Sequence, residues 1–163
     1  DEVTLAEIVD IYAGRIASWP DGSPLRLVLR PEGEFDMAVL RRISPAMAAA
    51  LDSAYARAGL ISAATDQENL DTLEKLPGSL GVAILGQIRA EHRSLKMLRL
   101  DGVAPSTDTL ASGEYRHQKA LYLVLRPEPS PLAAAFAAFV VSPAGQGILA
   151  GIGGFLPPEA ASS

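Results

Sequence analysis

The sequence predicts an α/β domain, on three observations. Helical and strand patterns alternate along the chain. Ser or Thr caps mark helix starts at Thr4, Ser44, Thr65 and Ser142. Short runs rich in leucine and branched residues follow turn chemistry, as residues 25–29 follow Trp19-Pro20-Asp21-Gly22-Ser23-Pro24.

The elements follow in chain order. Thr4 and Glu7 have capping-box spacing, Leu5, Ile8, Val9 and Tyr12 share one helical face, and Gly14 supplies a stop. Residues 25–29 read as a strand ending at Arg30-Pro31, and residues 35–43 as a helix. Ser44-Pro45 starts another helix, an N-cap with proline at the first helical position, running to about Ala58 before Gly59. Thr65 with Glu68 repeats the capping-box spacing for a helix reaching about Leu76, broken by Pro77-Gly78. Residues 80–85 read as a short buried strand, 87–93 as a short helix and 95–100 as a strand. A loop over 101–106 leads to a helical turn ending at Gly113, and residues 119–125 form an apolar strand. Residues 131–141 form an alanine-rich helix, Ser142-Pro143 caps one more that ends near Gly151, and the tail 157–163 is expected to fray. From 131 to 156 the chain is apolar nearly all round, a pattern that needs cover on more than one face.

Composition narrows the functions. With 163 residues, 48% hydrophobic and 20% charged, the chain is long enough for a globular core. A net charge of -5 argues against non-specific nucleic-acid binding, which needs a basic face. The absence of cysteine excludes disulfides, thiolate metal sites and thiol nucleophiles. No apolar run reaches the ~18 residues of a membrane span. The chain begins at Asp1 without an initiator methionine or signal peptide, and reads as a processed or truncated product.

Few residues carry chemistry. Arg30 follows a strand and precedes a helix, where a guanidinium can take an oxyanion in bidentate fashion beside a positive helix end. Its alternative is a salt bridge to Glu32, Glu34 or Asp36. Glu34 and Asp36 suit a helix start, as caps or as selectors of a cationic or neutral polar ligand. Thr65 and Asp66 read first as capping residues. Trp19 reads as a turn or core anchor, and His92 and His117 as loop residues. No P-loop, dinucleotide fingerprint or nucleophile elbow is present, and one carboxylate pair is not a metal site. No catalytic residue, metal or cofactor is assigned, and no enzyme is expected.

Taken together, these residues resemble the phosphate-type periplasmic solute-binding proteins. The stretch from Thr4-Leu5 through Ile8, Ile11-Tyr12, Gly14, Ile16 and Trp19-Pro20-Asp21-Gly22 is similar to the family's "LT…I..IY.G.I..W.DG". Arg30-Pro31-Glu32-Gly33 is similar to its "R..G" loop, and Pro77-Gly78-Ser79-Leu80-Gly81 to "PGaiGY". Residues 100–106 with Ser112-Gly113-Glu114-Tyr115 are similar to "ldGv.Pt…sG.YP", and residues 139–146 to "Fl.S.eGQ". No single piece is specific; five in series, in the family's order, cover nearly the whole chain.

The resemblance implies a type II periplasmic-binding-protein fold: a lobe with a mixed central sheet flanked by helices. Residues 1–118 would form a second-lobe-like domain. Residues 119–163 would supply the hinge strand and C-terminal helices that complete the first lobe. Its N-terminal half is absent, so a covering chain or half-lobe is expected. The implied function is the solute-binding component of an ABC-type, phosphate-like transport system. A small polar ligand, phosphate or another oxyanion among the candidates, would sit in an interlobe cleft, with an ABC permease as partner and an exported, periplasmic location. A non-transport sensor or interaction module is the alternative, and a hydrolase a distant third.

Carried onto the family's "RsdGSGT" loop, Arg30 and Gly33 match, whereas Glu34, Phe35 and Asp36 stand where Ser, Gly and Thr would be. Two carboxylates about 4 Å from an anion repel it by several kcal/mol at an effective dielectric of about 20, which argues against tight phosphate binding in the family manner. The start of the helix at Thr65 and Asp66 would also face the cleft. The expected ligand contacts are therefore Arg30, Gly33, Glu34, Phe35, Asp36, Thr65 and Asp66.

Overall fold

Local capping chemistry sets the helix starts. In the computed structural model, which describes residues 1–155, β1 (Glu2–Val3) leads into α1 (Leu5–Tyr12). The Glu7 amide donates to Thr4 Oγ1 at 3.1 Å while the Thr4 amide donates to Glu7 Oε2 at 2.8 Å, so the capping box closes. β2 (Arg26–Leu29) and α2 (Phe35–Ile43) follow, then α3 (Pro45–Ala56), whose Met47 amide donates to Ser44 Oγ. β3 (Ile61–Ser62) precedes α4 (Asp66–Lys75). There Thr65 takes the Glu68 amide, but Glu68 returns to the Ala64 amide rather than that of Thr65, so half of the expected box forms.

β2 is the centre of a three-stranded sheet in the order β3-β2-β4, with β4 at Ser79–Leu80. Both pairings are parallel: Val28 lies opposite Ile61, and Arg26 opposite Ser79. Strand alternation sends Leu27 and Leu29 into one cluster with Ile11, Tyr12, Met37, Leu40, Met47, Leu51 and Ala54, contributed by α1, α2 and α3. α4 packs against β2 and β4, burying Leu70 completely. Burial of each such aliphatic side chain contributes about 1.5–3 kcal/mol. Trp19 anchors a turn as expected, its indole donating to the Gly78 carbonyl at 3.0 Å. Gly78 sits at φ 72°, and a Cβ there would collide with the Pro24 carbonyl, so only glycine fits.

The rest of the chain continues through α5 (Leu85–Ala90), β5 (Arg99–Leu100), α6 (Thr107–Ala111), α7 (Pro131–Val141) and α8 (Pro143–Ile152). β5 pairs in parallel with β1. α8 contacts α5, α6 and α7.

Several expectations need correction. Among the described residues the strands pair in parallel, with antiparallel contact confined to two isolated bridges, Ser18 with Pro24 and Leu100 with Val103, so the described sheets are parallel rather than mixed. The expected strand over 80–85 shrinks to β4 because Asn69, not a neighbouring strand, takes the Val82 carbonyl, and Leu85 already opens α5. The strand over 95–100 shrinks to β5, since β1 offers only two residues to pair. Residues 119–125 form no strand. Tyr122 is 84% and Val124 89% exposed, and no strand lies alongside among the described residues. The third helix ends slightly early, at Ala56, the fourth ends at Lys75 with Leu76 as its C-cap, as expected, and α5 starts and ends earlier than expected. The expectation for the tail 157–163 lies outside the described residues. Among those residues no single helix is long and apolar enough to cross a membrane; α7 and α8 reach that measure only jointly, bent by 64°.

Candidate functional site

The buried strand β2 carries its environment one residue further, onto a charge. Leu27, Val28 and Leu29 are buried, and so is Arg30, at 2% exposure. A buried guanidinium requires partners. Arg30 Nη1 donates to the Ala63 carbonyl at 2.9 Å, Nη2 donates to Asp66 Oδ1 at 2.6 Å, and Glu34 Oε2 lies 3.5 Å from Nη2. The Arg30 carbonyl accepts from Tyr55 Oη at 2.8 Å. Nε is buried without a partner among the described residues. Arg30 thus pins the start of α4 to the end of β2. Its carboxylate partners are Asp66 and Glu34; Glu32 pairs with Arg41, and Asp36 with Lys119.

The loop from Arg30 to α2 turns at Pro31, whose carbonyl accepts from the Glu34 amide at 2.9 Å. Gly33 is exposed, with no atom within 4 Å of where a Cβ would stand. Glu34 is the N-cap of α2, but its side chain makes no capping hydrogen bond, which corrects its expected capping role. A carboxylate drawn toward Arg30 is not available to its own helix. The amides of Phe35 and Asp36, the first two of α2, have no partner among the described residues, as is also true of the first two amides of the capped helices α4 and α6; the third, Met37, donates to the Glu34 carbonyl at 3.1 Å. Of the eight described helices, α1, α3, α4, α6, α7 and α8 carry a side-chain cap; α2 and α5 do not. Free amides at a helix start carry partial positive charge and suit an acceptor group.

Asp36 is buried at 7% exposure, and its Oδ1 takes Lys119 Nζ at 3.2 Å. That lysine also stands 5.5 Å from the centre of the half-exposed Phe35 ring, and the Arg42 guanidinium stands 5.6 Å from it. Sequence reasoning missed Lys119, Tyr55 and Ala63. Lys119 lies 83 positions from Asp36, and no local pattern connects the two. Thr65 caps α4 as expected, and Asp66 belongs to the Arg30 network. The site therefore gathers Arg30, Glu34, Phe35, Asp36 and Asp66 and adds Lys119; Gly33 and Thr65 border it. Two depressions, of about 530 and 600 Å³, lie on the outer side of α4 and along residues 124–133, and neither is lined by Arg30.

Neither histidine belongs to this network. His92 is exposed in a turn at φ 53°. His117 is half-buried, its ring edge-on to Tyr115 at 5.5 Å; burial holds its imidazole below the usual value, with Asp101 acting in the opposite direction. Among the described residues no group of three or more His, Asp or Glu is placed to hold a metal ion.

A family model described as a PBP superfamily domain matches residues 1–144. The chain belongs to the PBP superfamily. Solved structures share this superfamily fold. One, from Clostridium perfringens, is described as a phosphate ABC transporter substrate-binding protein with bound phosphate; it matches with a TM-score of 0.74 at 20% identity, covering 93% of this chain and 61% of that one. PstS from Borrelia burgdorferi matches with a TM-score of 0.61 at 18% identity, and an ABC-type phosphate transport receptor from Vibrio cholerae with 0.56 at 14%. Each of these two covers 96% of this chain and 64% of its own. The PBP domain described here thus spans less than two thirds of their length. No curated protein sequence matches it.

Proposed function

We propose that this PBP domain is the ligand-facing part of a solute-binding component of an ABC-type, phosphate-like transport system. It holds a small polar solute at the start of α2, works outside the cytoplasm as an exported protein, and delivers its load to a permease. The carrying observation is the uncapped α2 start: two free amides, on Phe35 and Asp36, at the end of the central strand beside a buried arginine. The fold likeness to a protein with bound phosphate supports the same assignment. Binding is the whole activity in this reading. Lobes close on the solute, and no bond is made or broken.

Residues 119–155 belong, in this proposal, to the other lobe. The apolar run 119–125 has hydrophobic residues on both faces, as a central parallel strand does, and α7 has no buried residue. Both would be covered by further chain of the kind that makes up the remaining length of the solved relatives.

Thermal unfolding with a panel of oxyanions, amino acids and cations tests the reading. A solute present at about 100 times its Kd stabilises by about 2.7 kcal/mol. At least one class is expected to raise the midpoint. A panel without any shift, in a preparation that includes both lobes, would overturn the proposal.

A further inference from the structure

We infer that the open edge of β3 and the outer stripe of α4 form one self-complementary docking surface, and that its partner is a second copy of this chain. The inference stands apart from the solute-binding reading and uses none of the residues that carry it.

β3 is the outermost strand of its sheet. The Ala63 amide donates to the Leu29 carbonyl at 2.9 Å, so strand alternation turns the N–H and C=O of Ser62 to the open side. Ile61 and Ser62 are both exposed. No charge or proline, the usual blunters of a free edge, occurs between residues 59 and 64.

Beside this edge lies the depression of about 530 Å³, lined by Ile61 and by Glu68, Asp71, Thr72, Lys75 and Leu76. The last five follow at helical spacing and form one stripe along α4 and its C-cap. Ile61, Thr72 and Leu76 bring apolar groups to it. An acid, Glu68, stands near the start of the stripe and a base, Lys75, near its end, about 10 Å away at ~1.5 Å per residue. Glu68 takes the Ala64 amide and has no cationic partner among the described residues. Lys75 is 75% exposed and meets Asp71, which Arg93 also holds at 2.6 Å. Arg93 is engaged by Glu74 and Glu91 as well, so its charge is taken up within its own copy.

A two-fold axis beside Ser62, perpendicular to the sheet, turns these features into one interface. The two Ser62 residues exchange N–H···O bonds as an antiparallel pair, and the two sheets become continuous. The two α4 helices then run antiparallel on the same face. That arrangement brings Glu68 of each copy to Lys75 of the other and sets the apolar groups against their counterparts. A strand from an unrelated protein would meet the edge equally well, but a second copy presents the same charged stripe in reverse.

Sedimentation equilibrium of the full chain tests this through charge reversal. The unmodified chain is expected to dimerise in the micromolar range. Glu68→Lys and Lys75→Glu, each measured alone, place like charges at both ends of the stripe and are expected to weaken association at least tenfold. An equimolar mixture of the two restores opposite charges at both ends and is expected to regain the dimer, a recovery that misfolded variants would not give. Ser62→Pro removes the outward N–H without touching a bond to β2 and is expected to leave a monomer. A monomeric unmodified chain overturns the inference and leaves the edge open to another protein's strand. Loss in the single variants without recovery in the mixture also overturns it. So does a dimer that persists unchanged in all three variants, which would place the contact elsewhere, as on the exposed face of α7.

Discussion

The two halves of the chain use similar residues to opposite ends. Around β2, Leu27, Val28, Leu29, Met47, Leu51 and Leu70 are nearly or wholly withdrawn from water, held between a parallel sheet and the helices on its faces. Beyond residue 119, Leu121, Tyr122, Val124, Leu132 and Phe136 are each more than half exposed. The difference lies in the sheet. Helices α7 and α8 are as well capped as α3, but no described strand lies against them. Capping fixes where a helix starts; only an opposing layer decides whether its apolar face is buried.

The largest expected effect sharpens that contrast directly. Leu51→Ala, at a fully buried position, should destabilise by about 2–5 kcal/mol, whereas Phe136→Ala in the same chain should cost less than about 1 kcal/mol. Denaturant midpoints check both. A loss at Phe136 equal to that at Leu51 would mean that α7 is already covered in solution.

Next in size is the ion pair that joins the two regions. Lys119→Met leaves Asp36 buried without its cation and should cost about 1–3 kcal/mol. It should also raise hydrogen exchange through residues 119–125 more than in β2. Unchanged exchange there would show that the segment is held by something other than Lys119.

The smallest effect lies within the first region, where Arg93 links α4 to the chain after α5. Hydrogen bonds from Arg93 and Lys75 hold the Asp71 carboxyl below its usual value, and those from Gln87 and Arg93 do the same for Glu91. A depressed carboxylate adds stability at pH values above its unfolded value and loses it as pH falls through the folded one. Arg93→Gln should therefore narrow the gap in stability between pH 6 and pH 3, by a small amount because both acids are exposed to solvent. A pH profile parallel to that of the unmodified chain would contradict the assignment.

These contrasts also separate what was readable in the sequence from what was not. The helix starts at Thr4, Ser44, Thr65 and Ser142 were legible because a cap and its partner amide are three residues apart. The strands were legible only where a partner existed. Residues 25–29 have two neighbours, whereas residues 119–125 have the composition of a central strand and no described sheet to join. β1 and β3, two residues each, carry no periodicity to detect. Arg30 stood out because it ends a strand before a helix. Its main carboxylate partner did not: Asp66 lies 36 positions away, and the nearby acids Glu32 and Asp36 look equally eligible until the fold assigns them to Arg41 and Lys119.

A solute that binds in the proposed way meets the α2 start. Amide-resolved NMR of the full chain, titrated with phosphate and with the other oxyanions, amino acids and cations of the panel, tests this. Saturable shifts of the Phe35 and Asp36 amides and of the Arg30 guanidinium are expected with at least one solute. Saturable shifts confined to other parts of the molecule, with these three groups unmoved, would contradict it.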